Sequence, residues 1–183
     1  MANGFDEKTL TFENVETIWS NFSGAKTMYT PEGSRYFNIT LNDDQRKQAE
    51  EAGFNVKEHP SKNEGEPPLY TLKVSFSWND KYPQFDPKIF EVRNGKTIPI
   101  TESNVATLDG ARIVKADVDV RTYHWLMPNK TEGVAAKLEL AYFHVLVSNL
   151  EEKYANMGDS GHMDTIEFEQ IKKRQDNGLV GLD

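Results

Sequence analysis

Apolar and polar residues alternate along four stretches of this chain. In residues 35–41, Phe37, Ile39 and Leu41 fall on one face, and Tyr36, Asn38 and Thr40 on the other. In residues 69–78, Tyr70, Leu72, Val74, Phe76 and Trp78 oppose Thr71, Lys73, Ser75 and Ser77. In residues 112–121, Val114, Ala116, Val118 and Val120 oppose Lys115, Asp117, Asp119 and Arg121. Residues 134–147 return after a loop that carries Tyr123, His124, Trp125, Met127, Pro128 and Lys130. A period of two predicts half-buried strands, and the last two stretches predict one long hairpin.

The intervening residues fill in the order. Residues 10–22 read as extended, with Phe12, Val15, Ile18, Trp19 and Phe22, and Asn21-Phe22-Ser23-Gly24 opens a turn. Residues 23–34 form a polar loop around Tyr29. Asn42, Asp43 and Asp44 predict a helix start, and Gly53 its end. A short strand at 54–58 and a Pro/Gly-rich loop at 59–68 follow. Loop 79–87 carries Lys81, Tyr82 and Phe85, and Asn94-Gly95 predicts a tight turn between strands at 89–92 and 96–100. Residues 101–108 predict a short helical turn, and 150–154 begin a helix.

Seven or eight short strands with a helix among them predict a mainly β fold. The expected form is an elaborated OB-fold-like antiparallel barrel with one or two short surface helices and a flexible acidic C-terminal tail. A β-sandwich fits the same strand count. The expected divisions are an N-terminal arm at 1–9, the barrel at 10–155 and a mobile tail at 156–183.

Composition removes several chemistries. The chain has no cysteine, so neither a disulfide nor a thiolate site is expected. Phosphate-loop, dinucleotide and nucleophile-elbow motifs are missing. His59, His124, His144 and His162 lack zinc-site spacing. The expectation is a non-enzyme without metal or cofactor, in the cytoplasm, with neither signal peptide nor membrane span.

The formal net charge is −8, which is unusual for a chain that contacts nucleic acid. The charge is unevenly distributed, however. Residues 71–130 hold nine Lys and Arg against seven Asp and Glu. Exposed charges farther apart than about 10 Å are largely screened, so a local positive groove is compatible with a negative total. Cations along a strand face, with large aromatics at its end, suit a charged polymer with flat bases. The alternative is an ordinary solvated sheet face with an aromatic corner closing the core.

Several segments, in order, resemble the OB-fold single-stranded-DNA-binding proteins of tailed bacteriophages. They are Asn21-Phe22-Ser23-Gly24, Glu32-Gly33-Ser34-Arg35-Tyr36-Phe37, Ala52-Gly53-Phe54-Asn55-Val56-Lys57 and Leu108-Asp109-Gly110-Ala111. The resemblance continues through 118–125, 130–138 and Glu151-Glu152-Lys153-Tyr154, and covers roughly Glu16 to Ala155. Phe54, Thr122 and Ala135 depart from the family's tryptophan, proline and lysine.

The resemblance implies a sequence-tolerant single-stranded-DNA binder in phage replication or recombination. Trp19, Phe22, Tyr29, Tyr123 and Trp125 are then expected to stack bases. Lys26, Arg35, Lys73, Lys115, Arg121, Lys130 and Lys137 are expected to track phosphates. Expected partners are single-stranded DNA, replication or recombination proteins reached through the tail, and further copies of the chain. Two other readings stay open: an acidic interaction module that recruits or inhibits a host factor, and a sugar-binding barrel.

Overall fold

The structure is a computed structural model that describes residues 7–159. Two compact units divide the chain, one ending at Leu146 and one starting at Val147. The first unit is built from strands. β1 (Thr9–Val15) and β2 (Thr17–Asn21) are the two halves of one extended segment. β3 (Arg35–Leu41), α1 (Asp43–Glu51), β4 (Lys57–His59) and β5 (Leu69–Phe76) follow. A hairpin of β6 (Lys88–Arg93) and β7 (Lys96–Ile100) precedes the long arms β8 (Ile113–Leu126) and β9 (Glu132–Val145).

These strands form one nine-stranded mixed sheet, paired in the order β1-β8-β9-β5-β3-β2. The path starts on β1 and ends on β2, so it returns to the segment on which it began. At that joint the Thr40 N–H donates to the Glu16 carbonyl at 3.0 Å. The result is mainly β and OB-fold-like, as the strand count and the helix among the strands predict: one mixed sheet whose end strands β1 and β2 adjoin along the chain. One feature of that expectation is corrected: the sheet is mixed, not wholly antiparallel. β9 runs parallel to β5 through Val74↔Ala136 and Ser75↔Lys137, and parallel to β6 farther along. More than fifty residues separate β5 from β9, ample for the crossover that a parallel pair requires.

The core follows from the period-two faces. Phe12, Phe22, Phe37, Ile39, Val74, Val118, Val120 and Phe143 are fully buried. Phe22, Phe37 and Phe143 form a ring cluster, with centroids 5.2–5.7 Å apart. Val114 departs from its expected inward face and is 54% exposed. The β8–β9 register shifts between Ile113 and Lys115, and a bulge there re-aims the side chain. Residues 123–126, expected in a loop, continue β8, and only 127–131 form the turn.

α1 starts as its sequence predicts. The Asn42 side chain accepts from the Gln45 N–H, and the Gln45 side chain accepts from the Asn42 N–H. Gly53 follows its end with φ of +89°, a conformation that glycine adopts without a steric penalty. In the second unit, α2 (Asn149–Asp159) opens on a reciprocal pair between Ser148 and Glu151. Residues 1–6 of the expected arm and 160–183 of the expected tail lie outside the described residues. Thr9 already belongs to β1, and residues 156–159 belong to α2.

Candidate functional site

Register aligns the polar residues of four strands into rows on the outer face. Tyr36 of β3 faces Ser75 of β5, Ser75 faces Lys137 of β9, and Lys137 faces Arg121 of β8. At about 4.8 Å between strands, this row spans roughly 14 Å. A second row contains Asn38 opposite Lys73 and Ala135 opposite Tyr123. Trp125 opposite Gly133 lies beyond it, toward the hairpin turn.

The cations on this face are held by rings rather than by acids. The Lys73 ammonium lies 4.3 Å from the Tyr36 ring centroid, and the Lys137 ammonium 5.6 Å from that of Tyr123. The Arg121 guanidinium lies 5.1 Å from the Phe85 ring. Among the described residues, no carboxylate reaches ion-pair distance of Lys73, Arg121 or Lys137. Burial pushes the Lys137 ammonium below the usual lysine range, and the neighbouring Arg121 and Lys73 charges push it further. Three positive groups thus crowd one another with no carboxylate at ion-pair distance among the described residues, and an anion placed among them relieves that repulsion.

Two grooves flank the row and share Ser75. One, of about 450 Å³, runs between Ser75, Ser77, Asn79, Tyr82, Phe85, Arg121, Tyr123 and Lys137. The other, of about 500 Å³, runs between Lys57, Lys73, Ser75, Trp125 and residues 132–136. Together they line the face with aromatic rings and cations, and each also carries one carboxylate, Asp86 in the first and Glu132 in the second.

The structure brings together Lys73, Arg121, Tyr123, Trp125 and Lys137 of the expected site residues. Trp19 stands at the β2 end of the face, 58% exposed, its ring edge-on to His59 at 4.9 Å. Lys26 and Tyr29 project from loop 22–34, whose neck is closed by the Gly33 N–H donating to the Gly24 carbonyl at 2.7 Å. Thr27 holds that loop's tip through its hydroxyl, which accepts from the N–H groups of Tyr29 and Thr30. Lys130 is exposed in the β8–β9 turn, with φ of +66°.

Three expectations change. Phe22, expected to stack a base, is sealed in the core at 0% exposure and is not part of the face. Its backbone opens the turn, while its ring completes the Phe37–Phe143 cluster. Lys115 stands apart from the other cations, because Asp117 and Asp119 separate it from Arg121 along β8. Arg35 is engaged within the fold, 3.6 Å from Glu102 and 5.5 Å from the Trp78 ring.

Tyr36, Lys57, Tyr82 and Phe85 line or bound the site and were missed. Tyr82 precedes, and Phe85 ends, a 3-10 turn at Pro83–Phe85. Two aromatics in an exposed loop were the only available signal. Which strand that loop folds against is set by the tertiary structure.

A family model described as "Putative phage ssDNA-binding domain" matches residues 4–178. Among solved structures, the chain is similar to the single-stranded DNA-binding protein from bacteriophage Enc34. The TM-score is 0.50 at 9% identity, covering 76% of this chain and 82% of that one. A C-terminal truncation of the same protein gives 0.51 at 8% identity, covering 76% and 87%. At these identities the likeness shows the fold. No curated protein matches the chain.

Proposed function

The chain belongs to this family of phage ssDNA-binding domains, and on that premise we propose that it binds single-stranded DNA with little regard to sequence. Bases stack on Trp19, Tyr29, Tyr123 and Trp125, with Tyr82 and Phe85 walling the groove. Lys73, Arg121 and Lys137 neutralise phosphates, supported by Lys26 and Lys130 at the loop tips. The observation that carries the reading is the row Tyr36–Ser75–Lys137–Arg121. It sets cations without acidic partners beside exposed rings. Backbone contacts made by cations and base contacts made by rings are both indifferent to sequence. No catalytic step is proposed. The role is protection and presentation of single strands during phage-type replication or recombination.

The test is a tryptophan-fluorescence titration and gel shift with oligothymidylate across a salt series. Binding is expected to weaken by about 0.7 in log affinity per log salt for each phosphate neutralised. Arg121→Glu combined with Lys137→Glu is expected to abolish the complex while the fold persists. Unchanged binding by that double variant removes the face as the site, and no complex at low salt with the wild type removes the function.

A further inference from the structure

Resting on the reading just given, we propose that an acidic band beside Arg121, formed by Asp86, Asp119 and Glu139, makes this face selective for single strands by repelling the second backbone of a duplex. Charge changes sign abruptly along the outer face of the β8–β9 hairpin. Asp119 is two residues from Arg121 on the same face of β8, about 7 Å away by strand rise. On β9 the register shift opposite Asp119 and Val120 leaves Glu139 unpaired, next after the Lys137–Leu138 step. Both carboxylates are held in place: Asp119 accepts from the Thr11 hydroxyl, and Glu139 from the Thr9 hydroxyl at 3.2 Å. A groove of about 290 Å³ lies here, sharing Phe85, Asp86 and Arg121 with the 450 Å³ groove. Three carboxylates line it against the cations of Lys88 and Arg121.

One strand laid along Lys73, Lys137 and Arg121 keeps its phosphates on the cationic side. A duplex brings a second backbone across a groove of about 6 or 12 Å, which carries it over the acidic band. At a Debye length of about 10 Å, carboxylates this close to the path are incompletely screened at moderate salt. The hydrogen bonds to β1 give the same acids a second duty as tethers, so the test must separate charge from stability.

Asp119→Asn with Glu139→Gln removes both charges and keeps oxygen acceptors for Thr11 and Thr9. Asp86→Asn is the second variant, because it leaves the β1 tethers untouched. Affinity is measured by fluorescence anisotropy for oligothymidylate and for a duplex of the same length, in one low-salt buffer. The wild type is expected to prefer the single strand. The double variant is expected to gain about tenfold on the duplex, the size of two like-charge repulsions near a surface, and less than about threefold on the single strand. Asp86→Asn is expected to move the duplex in the same direction by a smaller factor. A wild type that binds both forms equally overturns the proposal, as do variants that leave duplex affinity unchanged or raise both affinities alike. A wild type that ignores oligothymidylate altogether overturns the underlying function instead.

Discussion

Trp125 lies over Gly133. A Cβ at position 133 would meet Cζ2 of the indole at 2.5 Å and Cε2 at 2.8 Å. The two residues are cross-strand partners near the end of the β8–β9 hairpin, beside the groove that holds Lys73 and Lys57. The missing side chain therefore makes room for the ring, and the backbone there needs no unusual φ. Gly133→Ala is expected to displace the indole without unfolding the sheet. Tryptophan emission should shift, and oligothymidylate affinity should fall roughly tenfold, within the ~1–3 kcal/mol of one stacked base. Circular dichroism unchanged from wild type, with that loss in the titration, is the expected pair of readings.

Lys137 carries a conflict between folding and binding. Its ammonium is held below the usual lysine range by burial first, then by Arg121 and Lys73. A lysine that binds its proton less readily when folded destabilises the fold below its lowered folded pKa. Stability then rises with pH between that value and the ordinary lysine value, because the unfolded chain holds more protons there. Lys137→Met is therefore expected to raise the thermal midpoint at neutral pH. The same variant should weaken oligothymidylate binding and reduce the salt slope by about 0.7. In the wild type, binding should decline with rising pH earlier than an ordinary lysine would dictate, with proton uptake on binding measurable by calorimetry in two buffers.

Local patterns were legible wherever local physics decides. β3 matches its predicted residues because three apolar side chains at period two have one way to bury. α1 matches because Asn42, Gln45 and Gly53 each satisfy backbone groups within a turn of themselves. The parallel pairing of β5 with β9 was not legible, since no residue of either strand names its neighbour. Nor was the exposure of Val114, which depends on a bulge set by the pairing of two arms. The site was half legible for the same reason. Arg121 and Lys137 follow from strand alternation, whereas Tyr82 and Phe85 reach the groove only because β6 packs beside β9.

Phe22 and Tyr29 show how that distinction divides two aromatics in neighbouring segments. Phe22 is at 0% exposure within a ring cluster, while Tyr29 is 89% exposed at a loop tip. Phe22→Ala is expected to cost about 3–5 kcal/mol of stability by leaving a cavity. Tyr29→Ala should change stability by less than about 0.5 kcal/mol, as surface substitutions do. The order reverses for DNA. Tyr29→Ala should lose about 1–3 kcal/mol of binding if its ring stacks a base. Urea denaturation and oligothymidylate titration on the two variants make the comparison, and a Tyr29→Ala protein that binds like wild type removes Tyr29 from the site.

Asp109 joins two segments that lie 87 residues apart in the sequence. Its Oδ1 accepts from the Phe22 N–H at 2.8 Å, and its Oδ2 from the Ser23 N–H at 2.9 Å. The Asn21 side chain completes the turn by accepting from the N–H groups of Gly24 and Ala25. The carboxylate thereby fixes the root of the loop that presents Lys26 and Tyr29, from the last residue of a 3-10 turn at Val105–Asp109. Hydrogen bonds to a charged acceptor contribute about 1.5–3 kcal/mol each when well shielded, and less at an exposed turn such as this. Asp109→Ala is expected to cost about 1–3 kcal/mol of stability in total. It should also weaken DNA binding through a looser loop, although Asp109 touches no nucleotide in the proposed path. Asp109→Asn keeps one acceptor and should recover part of both losses. If affinity is unchanged while stability falls, the loop does not need this anchor to bind, and Lys26 and Tyr29 act from a mobile segment.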